Sequence, residues 1–428
     1  MKRAWFFLII GAASLILGLN TGRALFYNMF YLVALTLVLS LAWAYAGISS
    51  VRLSRRTRSR RSSVGKLAEE SFMVANTGFL PKVWLEIRDH STLPVHRVSQ
   101  VLSALAPKRE RHWAVRTICR RRGRFALGPL SLVSGDPLGL FEFKRDLKVS
   151  SDIVVYPAMI PIPSFAPPLG QLPGGDAVRR RTHYITTNVS GVRDYAPGDS
   201  FNRIHWRSTA RQGRLIVKEF ELDPTADIWL LPDMHAQVQY SLPIEEPEAE
   251  DPWIAILRGH RRPDIETDPS TEEYTVTIAA SVAQHFVYKD RAVGMMTYAQ
   301  DREVMQPDRG HRQLTKMLET LAMVRAEGEL PIGQLLLAEG QRLGRGVTIV
   351  VITPSVDQHW IAAARDVQRR GVTIIAVLVD PAGFGGPGGA EDAIGVLQAS
   401  RIPAYLVRNG DNLSESLSRQ MSFARLRY

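Results

Sequence analysis

At 428 residues the chain is longer than one core usually serves, and at about 100–200 residues per domain it points to two or three domains. Hydrophobic residues make up 45% and charged residues 22%, which excludes a disordered chain and one embedded wholly in a membrane. A single cysteine, Cys119, excludes an intramolecular disulfide framework and any multi-cysteine zinc or iron–sulfur centre. The net charge of +11 comes almost entirely from arginine, since only nine lysines occur, and its position decides what it means.

Lys2 and Arg3 precede an uncharged stretch, Ala4 to Asn20, and a second runs from Ala24 to Ile48. As helices these reach about 25 Å and about 37 Å, against a hydrocarbon core of about 30 Å. Trp5, Tyr27, Tyr31, Trp43 and Tyr45 lie toward their ends, where aromatic rings favour the interface. No small-x-small cleavage site follows the first stretch closely, so residues 1–50 read as a transmembrane hairpin and not as a cleaved leader. The basic juxtamembrane segment 51–61 then supplies Arg52, Arg55, Arg56, Arg58, Arg60 and Arg61. Such a cluster resists translocation and pairs with anionic headgroups. The expectation is a multi-pass protein of the cell (inner) membrane, with membrane lipids as partners and its soluble domains in the cytoplasm. Nucleic acid is not expected, because no aromatic-interleaved basic motif occurs elsewhere.

Residues 62–160 read as short strands of a small β-sandwich. Val83, Leu85 and Ile87 alternate toward one face, as do Trp113, Val115, Thr117 and Cys119, and turn signals separate the runs. Cys119 reads as a packed thiol. Prolines crowd the chain from Pro157 onward, and 161–190 reads as a Pro/Gly-rich linker or strap.

Residues 191–221 carry the densest motif. Pro197-Gly198 predicts a turn, Asp199 a cap, and a helix from Ser200 to about Gln212 is expected to end at Gly213. Arg193, Arg203, Arg207, Arg211 and Arg214 lie within it beside Asp194 and Asp199. Either Trp206 and Ile204 latch this motif onto the following domain while the arginines pair with its carboxylates, or Trp206 and the arginines form a partner-docking surface, or the arginines hold an anion or phosphate, though without a Gly-rich cradle. The string Arg193, Tyr195, Pro197, Gly198, Asp199, Ile204, Trp206, Ala210 and Arg211 resembles the signature of the domain of unknown function 58 family. Arg122-Gly123-Arg124-Phe125, Gly128-Pro129-Leu130, Asp136-Pro137-Leu138-Gly139-Leu140-Phe141 and Val155-Tyr156-Pro157 are similar to that family's upstream region.

In 222–428 strand-like and helix-like patterns alternate. Helical stripes are Val276, Ala279, Ala280, Ala283, Phe286, Val287 and then Leu314, Met317, Leu318, Leu321, Val324. Arg345-Gly346-Val347-Thr348-Ile349 recurs as Arg370-Gly371-Val372-Thr373-Ile374, which predicts parallel neighbours in an open α/β sheet. The family resemblance implies a von Willebrand factor A-like fold here. Such domains can hold a metal on an Asp-x-Ser-x-Ser loop, but Asp233 is followed by His235 and Gln237, and Thr353 stands where a second Asp is expected. One Asp is too few for Mg²⁺, so no metal or other cofactor is expected. Gly383-Phe384-Gly385-Gly386-Pro387-Gly388 reads as a surface loop, because Pro387 removes a donor that phosphate binding would need. The acidic run Glu245 to Asp251 reads as an exposed insertion.

No H-E-x-x-H, G-x-S-x-G or Walker A string occurs, so neither catalysis nor a small-molecule substrate is expected. The leading expectation is a membrane-anchored, cytoplasm-facing interaction or scaffold protein. The resemblance implies a MoxR-type AAA+ ATPase as partner, in assembly or envelope-related remodelling, alongside other membrane proteins. The alternative is a metal-dependent, adhesion-type ligand-binding module.

Overall fold

A computed structural model describes residues 2–165, 189–196, 201, 204–220, 227–243 and 268–420. The chain divides into two compact units that interleave along the sequence. Met1–Ile160, Tyr240–Ser281 and Thr315–Arg325 form the first; Pro161–Gln239, Val282–Leu314 and Ala326–Tyr428 form the second.

The first unit opens with α1 (Lys2–Thr21) and α2 (Ala24–Ser49), both long and apolar enough to cross a membrane. They pack against each other across Gly22, whose φ of +69° turns the chain between them. The buried stripe of α1 is small throughout: Ala4, Gly11, Ser14 and Gly18. A Cβ on Gly11 would meet Val33 Cγ1 at 3.2 Å, so small residues set how closely the helices approach. At 26 residues α2 is longer than the roughly 20 that span a bilayer. Its surplus turns are used in packing. Ala44, Gly47 and Ile48 are buried, and a Cβ on Gly47 would sit 2.6 Å from Ser134 Oγ.

The chain enters strand β1 (Val51–Thr57) directly after α2, followed by β2 (Arg61–Ser63) and β3 (Leu67–Asn76). Then come β4 (Lys82–Asp89), β5 (Gln100–Leu105), β6 (Glu110–Ile118) and β7 (Gly123–Leu127). The set ends with β8 (Leu130–Gly135), β9 (Glu142–Leu147) and β10 (Ser151–Tyr156). Two antiparallel sheets, β1-β3-β6 and β5-β4-β8-β9, share a core of Phe72, Val74, Leu85, Ile87, Leu102, Leu130 and Leu132. Leu85 and Ile87 face inward as their alternation predicts, while Val83 is exposed at the strand's start. In a third sheet, β2-β10-β7, the β2 pairing is parallel. Beside that sheet, Cys119 is fully buried with Ala68, Leu127, Ile153 and Val155, and burial raises its thiol pKa.

In the second unit β11 (Val189–Asp194), α3 (Trp206–Gln212) and β12 (Ile216–Phe220) form a hairpin module. A mixed sheet then builds on β13 (Ile228–Pro232). After α4 (Thr271–Tyr288), which belongs to the first unit as far as Ser281, come β14 (Val293–Tyr298), β15 (Arg302–Asp308) and α5 (His311–Met323), the last returning to the first unit from Thr315. They are followed by α6 (Ile332–Gly340), β16 (Thr348–Thr353), α7 (Gln358–Arg369) and β17 (Thr373–Val379). The last elements are α8 (Ala390–Ala399), β18 (Ala404–Val407) and α9 (Leu413–Ser416). The strand order is β15-β14-β13-β16-β17-β18, all parallel except the edge strand β15. Thr348 pairs with Thr373 and Ile349 with Ile374, so the sequence echo is the register itself.

Every residue of β13, β16 and β18 is buried, which requires cover on both faces. On one face Leu231, Ile349, Val351 and Ile374 pack with Leu335, Trp360, Ile361 and Ile394 of α6, α7 and α8. On the other, Phe165 stacks on Tyr405 at 4.8 Å and meets Phe286 of α4 edge-on. The proline-rich strap is therefore packed at its start: Ile162 and Phe165 are buried, and the Ile162 carbonyl lies 2.8 Å from His285 Nδ1. Residues 166–188 of the expected linker lie outside the described residues.

Arg122 holds the first unit's three segments together. Its side chain is fully buried, 2.5 Å from Glu272 Oε1 and 2.8 Å from Glu273 Oε1, and it donates to the Val324 carbonyl at 2.7 Å. Arg122→Met leaves both carboxylates without their buried partner, which costs roughly 3–5 kcal/mol. A thermal melt of the full chain in detergent should show a large fall in Tm; an unchanged Tm would refute the role.

Candidate functional site

The central motif folds as a self-contained hairpin. Arg193 pairs with Val217 and Asp194 with Ile216 across β11 and β12, and the connection carries α3. The helix starts at Trp206, not at Ser200 as expected. Ile204 is bridged to Val217, and the His205 N–H donates to the Ile216 carbonyl at 2.8 Å, so the chain there is extended. His205 takes the capping role instead, its Nδ1 accepting from the Ser208 N–H at 3.2 Å. Gly213 ends the helix as predicted, in left-handed conformation with its N–H on the Thr209 carbonyl.

Ile204, Ile216 and Val217 are buried and form the inner side of this module. Trp206 is not: it is 66% exposed, and Phe201 is equally open. Ile204 is thus buried within the hairpin itself, bridged to Val217, while Trp206 is left open and does not latch onto anything among the described residues. Tyr195 stacks on Phe201 with ring centres 6.1 Å apart. Arg214 pairs with Asp194 at 2.9 Å, Arg193 donates to the Asp194 carbonyl, and Arg207, Ala210 and Arg211 face solvent on α3. Pro197, Gly198, Asp199 and Arg203 lie outside the described residues.

A second locus sits at the carboxyl ends of β13 and β16, where successive connections diverge and open α/β sheets bind ligands. Asp233 follows β13 and is buried. Its Oδ2 accepts the Thr353 hydroxyl at 2.6 Å and its Oδ1 the His235 N–H at 3.0 Å. Burial raises this carboxyl to about 6, even though both hydrogen bonds act to lower it. Backbone hydrogen bonds line the crevice beside it. Gly328 donates to the Met234 carbonyl and accepts from the Ala236 N–H, each at 2.9 Å. A Cβ at Gly328 would lie 2.3 Å from the Tyr298 carbonyl oxygen, so only glycine fits.

These residues do not fit a metal. Both Asp233 oxygens are engaged, Gln237 is exposed, and Asp357 caps α7 by accepting the His359 N–H at 3.0 Å. Among the described residues no three His, Cys, Asp or Glu side chains gather as a metal site. Gly383 to Gly388 forms a 3₁₀ turn and loop capped by Asp380, with Phe384 buried beneath. The acidic run 245–251 lies outside the described residues.

The arginine cluster divides. Arg52, Arg56 and Arg60 are exposed, whereas Arg58 and Arg61 pair with Glu69 and Glu319. Arg55 points inward, 1% exposed, onto Glu70 at 2.5 Å and Asp89 at 3.3 Å, which removes it from any lipid-facing set. Burial pushes the Glu70 carboxyl up, but hydrogen bonds from His96, Arg55 and Thr57 outweigh it and hold it at about 2. The upstream motif is likewise structural. Asp136 accepts the Leu138 and Phe141 N–H groups, and the Tyr156 hydroxyl reaches Glu319.

Residues 191–249 match the family described as "Protein of unknown function DUF58". The matched segment takes in the exposed hairpin and strand β13. The chain is also similar to the uncharacterized protein YeaD of Bacillus subtilis (strain 168), 21% identical over 259 residues, or 60% of this chain. It spans 56% of that relative's length. Among solved structures, the CARDB domain of a Pyrococcus furiosus protein in complex with di-metal ions overlaps 24% of this chain and 91% of its own, at 15% identity and a TM-score of 0.19. A GH20 exo-β-N-acetylglucosaminidase from Vibrio harveyi overlaps 82% and 60%, at 11% identity and a TM-score of 0.17. Overlaps this shallow do not define a shared fold.

The buried carboxyl at the sheet end gives a pH-dependent prediction. Asp233 has a folded pKa above its unfolded value, so its contribution is complete below about pH 4 and is lost as pH rises through about 6. Ionising it in the fold at neutral pH costs on the order of 3 kcal/mol. Asp233→Asn keeps the shape and does not titrate. Melts of the full chain should show its Tm gaining on wild type between pH 4 and pH 7, then running parallel. A constant offset across that range would contradict the assignment.

Proposed function

We propose that this protein is a membrane-anchored, non-catalytic interaction protein that presents the β11–α3–β12 hairpin to a protein partner. The exposure of Trp206 carries the reading. A tryptophan left 66% open on a well-capped module, with Arg207 and Arg211 beside it, has the composition of an interface anchor. The family resemblance points to a MoxR-type AAA+ ATPase as that partner, in assembly or envelope-related remodelling. The α/β sheet, with its first strand central and one antiparallel edge, supports a von Willebrand factor A-like fold for this part of the chain. Its ligand-binding end is occupied by the Asp233–Thr353 hydrogen bond, which favours protein docking over metal-dependent adhesion.

The hairpin α1–α2 supports an anchor with both of its ends in the cytoplasm. Lys2, Arg3 and the arginines after α2 all resist translocation, and the inward turn of Arg55 does not alter this, because topology is set before the strands fold.

Trp206→Ala should leave the stability of the full chain within about 0.5 kcal/mol of wild type, as for exposed positions generally, and so a Tm close to wild type. Affinity purification in mild detergent should recover an AAA+ ATPase with wild type and lose it with the variant. Equal recovery from both would sink the docking role. Protease added to intact cells should spare the β-strand and α/β regions, which lysed cells should lose; digestion in intact cells would reverse the orientation.

A further inference from the structure

The first unit carries an exposed apolar patch beside the end of α2. The β3–β4 turn ends in Phe79-Leu80, 82% and 44% exposed, followed by an exposed Pro81. Nothing in the core of the unit uses these side chains. Yet the turn is held rigidly. The buried Asn76 amide donates to the carbonyls of Leu80, Leu105 and Ala106, which joins this turn to the β5–β6 turn. That second turn is cationic: Lys108 and Arg109 are exposed, and Lys108 Nζ lies 4.9 Å from the Phe79 ring centre.

Both turns are fixed to the last turn of α2. The Thr77 N–H and hydroxyl both donate to the Ser50 carbonyl, at 2.9 and 3.0 Å. Lys82, 1% exposed, donates to the Ala46 carbonyl and to Ser50 Oγ, and so caps the helix with a cation. Phe79 and Leu80 thus sit between two anchors that hold them at the level of residues 46–50. About twenty residues from Ala24 cross the hydrocarbon core, which brings its edge near Trp43. Residues 44–50 then occupy the headgroup layer, some 5–7 Å deep on each side, and the water just above it. Tyr45, exposed and edge-on to Phe143, lies at the same level.

We infer that the Phe79-Leu80 turn, with Lys108 and Arg109 as its cationic collar, inserts into the interface of the bilayer that α2 leaves. The occupant is lipid with anionic headgroups. An aromatic–aliphatic tip ringed by Lys and Arg matches the interfacial layer in both polarity and charge. Its position beside α2 brings lipid to it without a further binding step. The inference rests on the membrane-spanning reading of α1 and α2.

The test uses the full chain in nanodiscs of mixed phosphatidylglycerol and phosphatidylcholine. Leu80→Cys takes an environment-sensitive fluorophore at the turn, and the native Cys119, fully buried, stays unlabelled. The probe should emit as in a low-polarity site. Lipids carrying a nitroxide near the headgroup should quench it as strongly as a probe at Tyr45→Cys, while a probe at Arg60→Cys stays in water. Lys108→Glu, or omission of phosphatidylglycerol, should reduce the quenching at Leu80→Cys. A water-like probe at Leu80→Cys overturns the inference, and so does a low-polarity probe that lipid nitroxides do not quench, which would mean a protein covers the turn. Leu35→Cys separates the two claims. If its probe is quenched by deep nitroxides while that at Leu80→Cys is not, the turn is wrong and the span stands; if neither is quenched, the span itself fails.

Discussion

One buried guanidinium organises the first unit. The three stretches that form it are separated by long segments of the other unit, and each supplies a partner at Arg122: the arginine itself, Glu272 with Glu273, and the Val324 carbonyl. An ion pair withdrawn from water gains little net energy over an apolar contact, but it punishes any arrangement that leaves one member alone. Here that penalty acts on topology. The β-rich region cannot release the start of α4 or the end of α5 without exposing the core to an unpaired charge.

In the second unit the corresponding constraint lies at the sheet's carboxyl end. Open α/β sheets leave a crevice where their connections diverge, and in this chain the carboxyl at that end is held by its own neighbours. The Thr353 hydroxyl takes one oxygen of Asp233, the His235 N–H takes the other, and the Gly328 backbone bonds to Met234 and Ala236 alongside. The hairpin of β11, α3 and β12, by contrast, leaves Trp206 and Phe201 open. That hairpin is well built without being deeply buried: three apolar residues inside, a histidine cap at one end of α3 and a glycine at the other.

Much of this was legible in the sequence where one local signal dominated. The uncharged runs gave α1 and α2, and the echo of Val347–Ile349 in Val372–Ile374 gave the parallel register of β16 and β17. Strand β1 was hidden by charge. Val51, Leu53, Arg55 and Thr57 alternate inward as in any strand, but six arginines in ten residues read as a surface. Only the position of Arg55 in that period-two pattern, matched with a carboxylate such as Glu70, points to an inward arginine. Strand β15 was missed because an edge strand bearing Arg302, Glu303, Pro307 and Asp308 has no apolar face to announce it. The start of α3 was misplaced because a backbone bridge from Ile204 to Val217 overrode local capping signals. Arg122 with Glu272, and Asp233 with Thr353, pair across 150 and 120 residues, and no local pattern encodes such partners.

The junction of α2 with β1 has a mechanical consequence. Most tethered domains hang from their helix by a flexible leash and sample many orientations. Here the helix passes into a strand at Val51, with Lys82 clamped on its final carbonyls and Gly47 set against Ser134. Helix and β-unit therefore act as one lever. In the proposed membrane-anchored arrangement, a change in bilayer thickness that tilts α2 would swing the β-strands joined to it through the same angle, so the lipid would set the attitude of the domain as well as its address.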